Sequence, residues 1–97
     1  MLEKDITAAI QRYLKTVPHC FFWKEHGSQY GTAGLPDIIC CYRGRFVAFE
    51  VKAPSGRPTK LQEITVAKIK AAKGEAFIVR NVEEVQEIIL KLEEGFR

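Results

Sequence analysis

The sequence predicts an α/β fold: an α-β-β-β-α-β order closed by a C-terminal helix, with one central mixed sheet flanked by helices. Three observations carry this. Apolar residues recur at helical spacing near both ends of the chain. Short apolar runs of strand length lie between them. A capping-box sequence opens a further helix between the third and fourth runs.

Leu2, Ile6, Ala9, Ile10, Tyr13 and Val17 form one stripe, predicting a helix over about residues 2–16 that Pro18 ends. Cys20 to Trp23 is a strand-length apolar run. Lys24 to Gly34 is polar and glycine-containing, as a loop is. Pro36–Tyr42 and Arg45–Lys52 flank Arg43-Gly44, a two-residue hairpin turn weaker in signal than Asn-Gly. Ala53 to Pro58 is a loop, and Thr59 with Gln62 caps a helix carrying Leu61, Ile64, Thr65, Lys68 and Ile69. Ala76 to Val79 predicts a buried strand. Asn81 and Glu84 form a second capping box, opening a helix with Val85, Ile88, Ile89 and Leu92 inward and Gly95 beyond it.

A length of 97 residues predicts one domain spanning 1–97. A core that small is marginal, so dimerisation would add useful burial. Composition is that of a globular chain, 46% hydrophobic and 28% charged. The formal net charge of +3 tolerates nucleic acid without demanding it. Cys20, Cys40 and Cys41 lack metal-ligand spacing and read as small hydrophobes in a reducing compartment. The N-terminus is amphipathic rather than signal-like, and no stretch is long enough to span a membrane.

The hairpin concentrates charge. If Arg43-Gly44 is the turn, Tyr42 faces Arg45, Ile39 faces Ala48, and the same register sets Asp37 opposite Glu50. Directly opposed residues have Cβ atoms about 5 Å apart. Two carboxylates that close repel unless a proton or a cation lies between them. Lys52, two residues from Glu50, shares its face. The pair suits a hard divalent ion such as Mg²⁺, with the Val51 carbonyl as a further oxygen donor. Lys52 could then orient water or stabilise a transition state. The bland alternative is an exposed Glu50–Lys52 ion pair worth little.

Pro36-Asp37, a hairpin, then Glu50-Val51-Lys52 resembles the PD-(D/E)xK nuclease signature. With Gly34-Leu35 before it and Thr59-Lys60-Leu61-Gln62 after it, the run resembles the VRR-NUC family over roughly residues 3–80. The resemblance implies a restriction-endonuclease-like core and a metal-dependent DNA endonuclease using Mg²⁺, with Mn²⁺ substituting. It implies that Asp37 and Glu50 hold metal and that Lys52 is the catalytic lysine. Glu3 would supply a further acidic ligand, and Gln62 would join the active site. Standalone members of this size resemble phage and bacterial Holliday junction resolvases. The implied partners are therefore branched DNA and a second copy in a homodimer, in the cytoplasm of a bacterial or phage-infected cell.

Other residues divide between site and scaffold. Glu3 also suits a helix N-terminus electrostatically, and Gln62 also suits the Thr59 capping box. Lys24, His26, Ser28, Gln29, Arg57 and Lys60 are candidate DNA contacts, against ordinary solvation for each. The aromatic residues Phe21, Phe22, Trp23 and Tyr42 read as core or interface. Two alternatives to a nuclease are a non-catalytic module that binds structured DNA and a small dimeric scaffold.

Overall fold

The computed structural model describes residues 1–26 and 33–96. Its elements are α1 (Glu3–Leu14), β1 (Cys20–Lys24), β2 (Ile38–Tyr42), β3 (Arg45–Val51), α2 (Lys60–Ala71), β4 (Glu75–Val79) and α3 (Val82–Glu94). The strands lie in the order β1-β2-β3-β4. The first three are antiparallel; β3 and β4 are parallel, with α2 making the crossover. No described helix is long and apolar enough to cross a membrane.

The hairpin has the register that a turn at Arg43-Gly44 dictates: Tyr42↔Arg45, Cys41↔Phe46 and Ile39↔Ala48. Both turn residues have positive φ, 52° and 82°, as the turn favoured in tight hairpins requires. Glycine adopts this freely; arginine does not. Arg43 is held there by Glu93 on α3, with Nε at 2.9 Å and Nη2 at 3.0 Å from its carboxylate oxygens. Its guanidinium also lies 5.4 Å from the Phe96 ring centre. The buried Tyr42 hydroxyl donates to the same carboxylate at 2.5 Å.

The period-two alternation of the strands separates two unlike faces. Ile38, Cys40, Tyr42, Val47, Phe49, Val51 and Val79 meet Ile6, Ile10 and Leu14 of α1 and Val85 and Ile89 of α3 in the main core. On the opposite face, among the described residues, Ile39, Ala48 and Ala76 form a second, smaller cluster, packed by Val66 and Ile69 of α2. The small Ala48 and Ala76 side chains leave room for α2 to lie against the sheet. Phe21 and Trp23 remain exposed beyond it, while Tyr42 is buried and Phe22 packs on the main core.

Two sequence expectations need correction, the second capping box and the start of β2. The helix α2 carries the expected apolar residues, of which Ile69 packs on the sheet while Leu61 and Ile64 are substantially exposed, and no residue of this helix is buried. Its sheet-facing positions are Gln62, Val66 and Ile69, so the first one is polar. The second capping box is only half formed. Asn81 accepts from the Glu84 N–H at 2.8 Å, but the Glu84 carboxylate accepts from Arg80 N–H instead. β2 begins at Ile38 rather than Pro36, and Asp37 lies in the bend before it.

Replacing Arg43 with alanine would remove the ion pair and the ring contact while keeping a positive φ that both residues disfavour. The expected loss is about 1 kcal/mol of unfolding free energy, read by urea denaturation. An unchanged midpoint would show that Glu93 does not hold the turn.

Candidate active site

The exposed side of the sheet carries the charges because alternation puts them there. Glu50 follows Ala48 on the α2 face, while Val47, Phe49 and Val51 point into the main core. Glu50 is nevertheless almost wholly buried, at 2% exposure. Lys52 is at 9%, and its Nζ lies 3.5 Å from Glu50 Oε2.

Asp37 is fixed from two directions. Its carbonyl accepts the Glu25 N–H at 2.7 Å, and its carboxylate accepts the Val51 N–H at 2.7 Å. The side chain thus reaches across the continuing register to β3. The approach to it is set by Gly34, whose φ is +82°. A Cβ there would lie 2.6 Å from Leu61 Cγ on α2. Glycine is required at this point by both conformation and close packing.

Gln62 serves both of its expected partners. Its amide oxygen accepts the Thr59 N–H at 2.8 Å, and Thr59 Oγ1 accepts the Gln62 N–H at 3.1 Å. Its amide nitrogen then donates to Glu50 Oε2 at 3.0 Å. One side chain joins the cap of α2 to the buried carboxylate.

Burial, then the negative charge of Asp37 and a hydrogen bond between the two carboxyl groups, raise the Glu50 pKa from its ordinary 4.5 to about 8. Lys52 opposes that rise without cancelling it. Near neutral pH, Glu50 is thus poised between carrying a proton and exchanging it for a cation. The available donors are hard oxygens, as Mg²⁺ and Mn²⁺ require, and Mg²⁺ is commonly held by one or two carboxylates with water and phosphate completing its shell. Asp37 and Glu50 fit that requirement.

The remaining candidates are placed less closely. Glu3 is exposed in the first turn of α1 beside Asp5, where both favour the helix dipole. No group of three or more His, Cys, Asp or Glu able to hold a metal occurs among the described residues. Glu3 therefore does not complete a carboxylate triad with Asp37 and Glu50. Lys24 and His26 are exposed around the β1 terminus, which adjoins Asp37 through the Glu25 N–H. Arg57 and Lys60 are exposed on and after the loop that follows Lys52. Ser28 and Gln29 lie outside the described residues. Val51 contributes its N–H to Asp37.

Sequence reading overlooked Arg80, whose Nη1 donates to three carbonyls of the loop after Lys52. Its place at the end of a strand parallel to β3 was the available signal.

No family model and no curated protein matches the sequence. The fold, however, matches solved structures. One, described as a VRR_NUC domain, superposes with a TM-score of 0.75 at 20% identity, covering 90% of this chain and 92% of its own. Another, a VRR_NUC domain protein, also gives 0.75 at 14% identity, covering 94% and 87%. The chain thus shares the fold of these VRR_NUC domain structures, an α/β architecture with a central mixed sheet flanked by helices.

The Glu50 shift has a consequence for stability. Between pH 4.5 and about 8 the folded state holds more protons at Glu50 than the unfolded chain does. Stability of the metal-free protein therefore falls as pH rises through that interval. Thermal unfolding should show this decline, with Asp37 and Lys52 intact, and Glu50→Gln should flatten it. An equally steep decline in the variant would place its origin elsewhere.

Proposed function

We propose that this chain is a metal-dependent DNA endonuclease that hydrolyses phosphodiester bonds, acting on branched DNA such as four-way junctions or flaps as a homodimer. The observation that carries the reading is the convergence of buried Glu50, Asp37 and Lys52 on the thinly covered side of the sheet. Burying Glu50 and Lys52 beside the half-buried Asp37 costs stability, and such costly charge clusters concentrate at functional sites. The VRR_NUC fold supports the same reading.

In this reading Asp37 and Glu50 hold Mg²⁺ or Mn²⁺. The ion would supply charge neutralisation at the phosphate and a more acidic bound water. The chain's own contribution is positional. The Val51 N–H fixes the Asp37 carboxylate, and Gln62 fixes Glu50 while keeping one of its oxygens oriented. Lys52 brings a positive charge to the carboxylate pair, where it can orient an attacking water or stabilise charge growing on the phosphate. Lys24, His26, Arg57 and Lys60 are exposed at or beside loops adjoining this cluster and can meet the DNA backbone. Ser28 and Gln29 belong to the same proposed contact segment. Glu3 is proposed only as a ligand that approaches on binding.

A second, alternative reading is a module that binds structured DNA through the exposed Lys24, His26, Arg57 and Lys60 without cutting it. One assay separates the two. Purified protein is incubated with four-way junctions, flaps and duplex DNA in Mg²⁺ or Mn²⁺. Cleavage is expected, falling about 10²-fold or more in Lys52→Ala and Asp37→Ala with folding retained. Binding without cleavage supports the second reading, and a Lys52→Ala protein as active as the parent contradicts the catalytic assignment.

A further inference from the structure

β3 and β4 are parallel, with Val51 beside Val79, so the segments that follow them leave the sheet at the same end. The Lys52 N–H donates to the Val79 carbonyl at 2.9 Å. Arg80 comes next. Its Nη1 donates to Gly56 O at 2.6 Å and Ala53 O at 2.9 Å, with Pro54 O at 3.5 Å. Gly56 N–H also donates to Ala53 O at 2.9 Å. Residues 53–56 thus form a closed turn gripped by a guanidinium. Arg80 is itself steadied by α3, because its N–H donates to Glu84 Oε1 at 2.6 Å.

That turn leads through Arg57 and Pro58 to Thr59, the N-cap of α2. Thr59 and Gln62 cap each other, and the Gln62 amide nitrogen meets Glu50. The apolar contacts of α2 with the sheet, Val66 and Ile69, lie further along the helix. No residue of α2 is buried. The end that carries Gln62 is placed by the close approach of Leu61 to Gly34 and by polar anchors, Glu50 itself and the loop before the helix.

We propose that Arg80 is a positioning residue for the Asp37–Glu50–Lys52 site: by holding the carbonyls of residues 53–56, it sets the Thr59–Gln62 cap and so fixes the Gln62 amide against Glu50. A charge-assisted donor with fixed planar geometry suits this task better than a neutral one. The structural part stands on these hydrogen bonds alone; only its kinetic consequence rests on the nuclease reading.

The test compares the metal-free parent with Arg80→Met, Arg80→Lys and, as a control for general destabilisation, Arg43→Ala. The primary readouts are the NMR shifts of the Gln62 side-chain amide and hydrogen exchange at the Gly56 N–H. Arg80→Met is expected to move the Gln62 signals toward those of a solvated glutamine and to accelerate Gly56 exchange roughly tenfold or more. Arg80→Lys should restore part of both, and Arg43→Ala should change neither. If Arg80→Met does not fold, Arg80→Lys carries the comparison, with a smaller displacement in the same direction. Unmoved Gln62 signals, or equal movement in Arg43→Ala, would overturn the proposal. In the cleavage assay, Arg80→Met should lower kcat about tenfold or more at unchanged KM for DNA. A raised KM at unchanged kcat would make Arg80 a DNA contact and overturn the positioning role. A parent protein that cuts no substrate would count against the nuclease reading, leaving the NMR comparison to decide the role of Arg80.

Discussion

The arrangement of this protein depends on one constraint: two carboxyl groups, Asp37 and Glu50, are held together where water cannot fully screen them. Glu50 is nearly inaccessible, and its pKa is pushed up to about 8 by burial and by Asp37. Such a pair needs a shared proton or a cation. The surrounding contacts hold the pair in this arrangement. Val51 supplies an N–H to Asp37, Gln62 supplies an amide to Glu50, and Lys52 supplies a nearby positive charge.

The fold makes that constraint tolerable by giving the two sheet faces different tasks. One face joins α1 and α3 in a core that contains the largest fully buried side chains. Among the described residues, the other is covered by α2, which has no buried residue, over a small apolar cluster. Stability is therefore concentrated on the first face, and the strained charge cluster on the second. Strand alternation alone accomplishes the division: Val47, Phe49 and Val51 go one way, while Ala48 and Glu50 go the other.

Much of this was legible from a single dipeptide. Arg43-Gly44 fixes the hairpin register, and the register brings residues thirteen positions apart, Asp37 and Glu50, to the same end of the sheet. The element order was equally readable, because periodicity changes cleanly between helix and strand. The inward face of α2 was not. Leu61 and Ile64 look like core, but the sheet-facing line begins at Gln62 because Glu50 needs a donor there. Glu84 misled in a similar way: its carboxylate serves Arg80 rather than completing the Asn81 cap. Arg80 was harder to read: its partners are backbone carbonyls, which leave no trace in residue type, and its place after β4 was the one signal. Glu3 shows the reverse limit. A carboxylate in a first helical turn has a sufficient local reason to be there, so its identity alone does not bring it to the site.

The central claim is that the carboxylate pair is a cation site. The most direct measurement is anomalous diffraction from a crystal soaked in Mn²⁺. The account predicts a metal peak between the Asp37 and Glu50 carboxylates, lost in crystals of Glu50→Gln. A saturated crystal with no peak there, and with Glu50 still bonded to Gln62 and Asp37 through a proton, would contradict it.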